Sequence, residues 1–347
     1  MEKLLKVLNK TQPVAVVVHN NPDPDALACA LGLLTILKKK GCKGVKIYYD
    51  GLVGRAENKA MVKYLSISLF KTRNTSFPES CQFVLVDSQP FSGNVTLPQK
   101  AKCKGAIDHH PKQKKTSQLP FLDIRPDYGA SSTIIYEYFS SQDMTIPRNI
   151  ATAIFYAIFS ETQGLGREGS PADRKAYLEL LPQTNFSQLS KIQFPSLPKE
   201  FVAQLSDVLL NTFYYKNLCG VVLDQLPYPD FVAEMADFLL RVRNISWSLC
   251  VGVFKDLVYV SIRTSSEEPN APDIIKKIIP RHGSSGGHDS AAGAQIKADR
   301  RNKKYINSLK KDIVRKMLRE LNHKKVKTVY HLVNNEEFFL FEEKNRR

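Results

Sequence analysis

Val14-Ala15-Val16-Val17-Val18-His19-Asn20-Asn21-Pro22-Asp23-Pro24-Asp25 is the stretch whose reading decides the fold. Its apolar, mostly β-branched opening has no polar interruption, the pattern of a strand buried on both faces. The polar segment that follows places one imidazole and two carboxylates at the strand's end. Ala26 to Lys40 then carries apolar residues on most faces, with a basic end at Lys38-Lys39-Lys40 and Gly41 as a stop, which predicts a helix.

The same alternation continues outward. Val45 to Tyr49 reads as the next strand, Arg55 to Leu65 as a helix, and the residues up to Ser80 as a polar loop. Phe83-Val84-Leu85-Val86 runs into Asp87, and Gly105-Ala106-Ile107 runs into Asp108-His109-His110. Ser131-Ser132 is placed to cap a helix through Phe139, and Pro147 to start another. The pattern predicts an α/β chain whose N-terminal part is a mostly parallel sheet with helices on both faces.

Pro182 to Pro198 reads as an inter-domain linker. Beyond it Phe201–Leu210 and Phe231–Arg241 look helical. Leu218–Leu223, Trp247–Phe254 and Leu257–Arg263 look like strands, with Lys255-Asp256 as a hairpin turn. This is a smaller α+β domain. The expected division is 1–185 as one domain, 186–200 as linker and 201–347 as a second domain. The last ends in a basic amphipathic helix from Asp299 to Leu321, with Ile306, Leu309, Ile313, Met317 and Leu321 at helical spacing.

The chain has 347 residues and a net charge of +16, from 50 Lys and Arg against 34 Asp and Glu. That excess favours polyanionic partners such as nucleic acid, nucleotide or polyphosphate; its plainer reading is solubility. Cysteines at 29, 42, 81, 103, 219 and 250 have neither metal-knuckle nor redox spacing and suit a reducing compartment. Met1 to Lys10 alternates Lys with Leu and lacks the apolar core of a signal peptide. No run of about 18 apolar residues occurs. The expectation is a cytoplasmic protein without a membrane span.

A lone Asp after a strand ordinarily caps a turn, and a lone His is ordinarily a surface or core residue. Independent capping does not predict carboxylates and imidazoles at three strand ends together. Open parallel sheets build their sites at such ends. Two divalent cations about 4 Å apart need a bridging carboxylate and terminal ligands. His19 and Asp23 can hold one ion and Asp25 and His109 the other, with Asp87 bridging. Mixed imidazole and carboxylate ligands suit Mn²⁺ better than Mg²⁺, with Zn²⁺ as an alternative. Downstream, Gly283 to Gly293 reads either as a flexible Gly/Ser loop or as a loop whose amides converge on an anion. In the second case His288 and the guanidinium of Arg263 can add donors.

Together, His19-Asn20-Asn21-Pro22-Asp23-Pro24-Asp25-Ala26, Val86-Asp87-Ser88, Asp108-His109-His110 and Gly286-Gly287-His288-Asp289-Ser290-Ala291-Ala292-Gly293 resemble the motifs of the DHH/DHHA1 phosphoesterase family, in its order. The compact length is more similar to the nanoRNase and pAp-phosphatase branch, which is related to exopolyphosphatases, than to the larger exonucleases. The resemblance implies a DHH domain with two Mn²⁺ ions and a DHHA1 domain across a cleft. His19, Asp23 and Asp87 would hold one ion, and Asp25, Asp87 and His109 the other. His110 would contact the scissile phosphate, supported by Asp108. Arg263, the Gly286 and Gly287 backbone and His288 would bind the substrate's phosphate or terminal nucleotide.

Two positions depart from the family's pattern. Ser88 stands for the usual Thr. Ser160-Glu161-Thr162 stands where the family has an Asp, so Glu161 is read as a longer-armed metal ligand. The implied activity is hydrolysis of short single-stranded oligonucleotides or nucleotide phosphates by metal-activated water, releasing mononucleotides. Cyclic dinucleotides, 3′-phosphoadenosine 5′-phosphate and polyphosphate are alternative substrates. A nucleic-acid-binding regulator with a decayed centre is the alternative of another class, suggested by Glu161 and the basic helix. The oligomeric state stays open, a homodimer among the alternatives.

Overall fold

The computed structural model describes residues 1–166, 169–266, 268–288, 290–299, 301–323, 326, 328–333 and 336–338, without the side chains of 114, 115, 288, 337 and 338. The chain divides into two compact units, Met1–Ser196 and Leu197–Arg347.

The first unit is built on six parallel strands, β1 (Val14–Val17), β2 (Lys46–Tyr49), β3 (Leu69–Lys71), β4 (Gln82–Val86), β5 (Lys102–Asp108) and β6 (Phe121–Ile124), in the order β3-β2-β1-β4-β5-β6. β3 and a 3-10 turn at Thr72–Asn74 lie inside the stretch that reads as polar loop. The helices are α1 (Glu2–Val7), α2 (Pro24–Lys39), α3 (Ala56–Tyr64), α4 (Ser131–Ser140), α5 (Arg148–Glu161), α6 (Pro171–Leu180) and α7 (Phe186–Gln193). α7 lies within the expected linker, and its Leu189 and Ile192 are buried in the core of this unit.

The sheet is flanked by helices, but they gather on one face. Val14, Val16, Val84, Val86 and Ile107 point into a core shared with all seven of them. The other face, through Ala15, Val17, Tyr48 and Phe83, packs on Phe77, Val95 and Leu97 from irregular segments. The reason lies in the connections: the chain after β3 and the crossover from β4 to β5 contain no α-helix, so loop side chains cover that face. Strand order extends one way from β1 through β2 and the other way from β4, so the sheet's topological switch lies between β1 and β4. A crevice opens at such a point, beyond the carboxyl ends of the strands.

The second unit is an eight-stranded mixed sheet in the order β11-β12-β10-β9-β8-β7-β13-β14. Its strands are β7 (Thr212–Tyr215), β8 (Leu218–Val222), β9 (Trp247–Phe254), β10 (Leu257–Thr264), β11 (Ser284–His288), β12 (Ala291–Lys297), β13 (Val329–His331) and β14 (Glu337–Phe338). Helices α8 (Lys199–Asn211) and α9 (Phe231–Leu239) pack on one face, and α10 (Ala271–Ile278) and α11 (Lys303–Glu320) on the other. α11 buries Ile306, Leu309, Ile313 and Met317, and also Lys310, whose ammonium pairs with Asp224 at 2.6 Å. Part of the basic sequence is therefore internal structure rather than a solvated face.

Candidate metal centre

The carboxyl end of β1 delivers His19, and that of β4 delivers Asp87 across the switch point. Asp87 leaves its strand in a left-handed conformation, φ 51°, while its N–H still donates to the Ile107 carbonyl at 2.8 Å. This turn aims a nearly inaccessible carboxylate at two groups of side chains. Its Oδ2 lies 3.5 Å from His19 Nε2, which lies 3.4 Å from Asp23 Oδ2. Its Oδ1 lies 3.7 Å from His109 Nε2 and 3.8 Å from His110 Nδ1. Two atoms bound to one ion at about 2.1 Å sit roughly 3.0–3.5 Å apart, so these separations are close to those of ligands sharing a cation.

Both candidate imidazoles have the orientation of metal ligands. His19 Nδ1 faces the Asn20 carbonyl at 2.9 Å, and His109 Nδ1 faces the Tyr128 carbonyl at 3.0 Å. Each carbonyl selects the tautomer that leaves Nε2 as the coordinating nitrogen. Asp173 fixes the second of these contacts by accepting from the Gly129 N–H at 2.7 Å. His110 differs: its Nδ1 is committed to Asp108 Oδ1 at 2.8 Å, and the ring is 42% exposed.

Asp25 occupies a different place from the ligand pair with His109. Its Oδ2 accepts from Ser131 N at 2.6 Å and its Oδ1 from Ser132 N at 2.8 Å. The helix expected to be capped by its own serines is thus capped by a distant carboxylate, because Ala130 at its N-cap has no side-chain acceptor. Ser131 Oγ instead donates to Asp87 Oδ1 at 2.8 Å and accepts from His109 N at 3.0 Å. Glu161 ends α5 near the same groups, and its charge is felt by Asp25 and His110. Neither Asp25 nor Glu161 is within either ligand cluster among the described residues, Asp87-His109-His110 and His19-Asp23-Asp87.

The electrostatics follow from crowding several carboxylates out of water. Burial lowers the affinity of His19 for a proton, but Asp23 and Asp87 override it and hold its pKa well above the usual value. Burial likewise works against His110, yet Asp108 and Asp87 raise its pKa to about 10. Burial would raise Asp87, whereas His19, His110 and His109 bring it below the usual carboxylate range. Asp23 also lies low, because His19 outweighs burial. Asp25 is raised by burial and by the charges of Asp87, Glu161 and Asp23, and Glu161 by burial and by Asp23. A cation is the complement of such a set, and the donor types suit a borderline divalent ion.

The sequence reading missed three contributors: Ser131, Asp173 and Gln89. Gln89, almost wholly buried, donates from Nε2 to Asp108 Oδ2 at 2.8 Å and accepts from Gln113 N at 2.8 Å. Its one sequence signal is a polar residue just past the strand end at Asp87.

In the second unit the Gly-rich segment is a β-hairpin, β11 against β12, rather than a loop of convergent amides. A Cβ on Gly287, where φ is 154°, would lie 2.2 Å from the Ala291 carbonyl, so that position requires glycine. Gly286 pairs with Gly293. The His288 side chain and Asp289 lie outside the described residues. Arg263 ends β10 with Nε on Asp237 Oδ1 at 2.6 Å and Nη1 on Ser261 Oγ at 2.7 Å, so much of its fork serves its own domain.

The sequence matches the family model for the N-terminal domain of the DHH family over residues 13–158 and that for the DHHA1 domain over residues 228–315. The two domains together span most of the chain, which belongs to the DHH family and carries a DHHA1 domain. An uncharacterized protein of Methanocaldococcus jannaschii is 32% identical over 289 residues, covering 83% of this chain and 58% of the relative. A probable manganese-dependent inorganic pyrophosphatase of Enterococcus faecalis is 28% identical over 149 residues, 43% of this chain and 48% of that protein. The matches thus span 58% and 48% of these relatives' own lengths. The crystal structure of an exopolyphosphatase-related protein from Bacteroides fragilis superposes with a TM-score of 0.69 over 91% of this chain and 96% of that one, at 15% identity, and so shares the fold.

Proposed function

We propose that this chain is a manganese-dependent phosphoesterase that hydrolyses short oligonucleotides or nucleotide phosphates to mononucleotides. The observation that carries the reading is that one buried carboxylate, Asp87, has one oxygen facing His19, which also meets Asp23, and the other facing His109. In this reading His19, Asp23 and Asp87 would hold one ion, and Asp87 and His109 the second, with Asp25 and Glu161 adding negative charge beside it. Bound divalent cations would supply a water that is more acidic than bulk water and would stabilise charge on phosphorus. The name of the Enterococcus faecalis relative supports manganese as the metal.

The protein's own groups would orient the substrate. His110, its Nδ1 held by Asp108 Oδ1 at 2.8 Å, would present its other ring nitrogen to a phosphate oxygen. Gln89 and Asp108 hold that ring, so its direction is set before substrate arrives. Arg263, the Gly286 and Gly287 backbone and His288 are proposed as substrate-binding groups of the second unit. A single-stranded oligonucleotide or nucleotide is the proposed partner and the cytoplasm the proposed location; no described helix is long and apolar enough to cross a membrane.

The test is Mn²⁺-dependent hydrolysis of 5′-phosphorylated di- to pentanucleotides, 3′-phosphoadenosine 5′-phosphate, a cyclic dinucleotide, polyphosphate and pyrophosphate. Asp87→Ala serves as control, with circular dichroism to verify its fold. Mononucleotide release that disappears in the variant is the expected result. Full activity of Asp87→Ala would overturn the assignment of the centre. Turnover of pyrophosphate alone would replace the nucleotide reading with the activity for which the Enterococcus faecalis relative is named.

A further inference from the structure

The segment Ser88 to Asn94 leaves β4 directly after Asp87 and is fastened on both sides of the metal centre. On one side Gln89 donates from Nε2 to Asp108 Oδ2 at 2.8 Å, to the His110 carbonyl at 3.3 Å and to the Pro111 carbonyl at 3.2 Å. On the other, the Asn94 carbonyl accepts from Asn20 N at 2.6 Å, one residue beyond His19. Ser88 Oγ, buried, donates to Asn94 Oδ1 at 3.3 Å and so closes the loop on itself. The loop therefore runs from the Asp-His-His turn to the His19 turn along the carboxyl edge of the sheet.

Near its tip stands Phe91, 70% exposed. Isolated exposed apolar residues are ordinary, but this one has φ 71°, a region that bulky side chains rarely occupy. Strained backbone is retained where surrounding contacts over-determine it, and such residues cluster at ligand sites. Here the anchoring contacts are those to Asp108, His110 and Asn20. Phe91 is four positions beyond Asp87, a reach of at most about 14 Å. A short oligonucleotide with its phosphate at the centre spans that distance.

We propose that Phe91 is a stacking platform for a nucleobase of the substrate. The inference rests on the nucleotide reading of the centre and deepens it. Inorganic pyrophosphate and polyphosphate have no π-face and gain nothing from an exposed ring. A base gains stacking energy of any sequence, since every base presents a π-face. The platform thus favours nucleotides over bare phosphate chains without selecting a particular base.

The experiment uses the full chain and two readouts. The first is kcat/KM for a 5′-phosphorylated adenine dinucleotide relative to its abasic analogue. Phe91→Ala should lower that ratio by about 5- to 150-fold, the range that one base–aromatic stack supports. Phe91→Tyr should restore it. The second readout is independent of turnover. The chain has a single tryptophan, Trp247, buried in the second unit. Phe91→Trp therefore adds one exposed fluorophore, which the dinucleotide should quench and the abasic analogue should not. Quenching by the dinucleotide in a protein that turns over nothing would sustain stacking and refute the catalytic reading alone. Equal quenching by both ligands, quenching by neither, or an unchanged ratio in Phe91→Ala would overturn the platform.

Discussion

Ser131→Ala is the most informative single change at the centre. The hydroxyl is fully buried and bonded on both sides, to Asp87 Oδ1 at 2.8 Å and from His109 N at 3.0 Å. Alanine leaves a carboxylate oxygen and a backbone N–H unpaired, at about 1–3 kcal/mol each with partial relaxation. A net loss of about 3 kcal/mol would lower the melting temperature of a domain this size by about 6–12 °C. The same bond sets the direction of Asp87, and loss of such outer contacts weakens metal binding about 10- to 100-fold. The assays are thermal unfolding in chelator and calorimetric titration with Mn²⁺. Ser132→Ala is the internal control: Ser132 is equally buried, but its hydroxyl acts on Asp25 rather than on Asp87, so its removal should cost less stability and spare Mn²⁺ affinity. If the two variants match in melting temperature and Mn²⁺ affinity, Ser131 does not hold Asp87.

Two further outcomes follow from the electrostatics. Asp123 accepts from Arg125 Nε and Nη2 at 2.7 and 2.9 Å and from the Tyr138 hydroxyl at 2.7 Å. Burial pushes its pKa up, but these donors bring it below the usual value. Its stabilisation is therefore full above the unfolded pKa near 3.9 and is lost as pH falls through the lower folded pKa. Asp123→Asn should cost about 1–3 kcal/mol at pH 7 by urea unfolding, with the gap to wild type closing below about pH 4; a pH-independent gap would refute the charge-based account. Glu161, raised by burial and by the charge of Asp23, should show opposite signs in two measurements. Glu161→Gln relieves repulsion and should not destabilise the metal-free protein, while Mn²⁺ affinity falls about 10-fold or more. Unchanged affinity would remove Glu161 from the metal centre.

What was legible in the sequence was local. The apolar run before His19, those before Asp87 and Asp108, and the 3.6-residue spacing in α11 are periodic patterns over a few residues, and the structure has these strands and this helix where they predict them. Polar residues at strand ends drew attention to His19, Asp87 and His109 because hydrophobic burial leaves such ends as the places where ligands are available. The cap on α4 was invisible, since its acceptor is Asp25, more than a hundred residues earlier. The hairpin β11–β12 is hidden in the sequence because glycine and serine have low strand propensity, and only pairing with β12 overrides that preference. Gathering of the helices on one face depended on which connections lack a helix, which residue spacing does not encode.

By itself, then, the sequence determined the alternating elements, the motifs and the residue types available for a metal centre, because these rest on burial periods and on chemistry carried by each side chain. Only the tertiary structure decided the switch between β1 and β4 that turns Asp87 toward both clusters. It alone placed Ser131 beneath Asp87 and gave Phe91 its anchored, left-handed position. Those depend on register and close packing between segments far apart in the chain, where a contact is set by the geometry of the whole sheet rather than by neighbours in sequence.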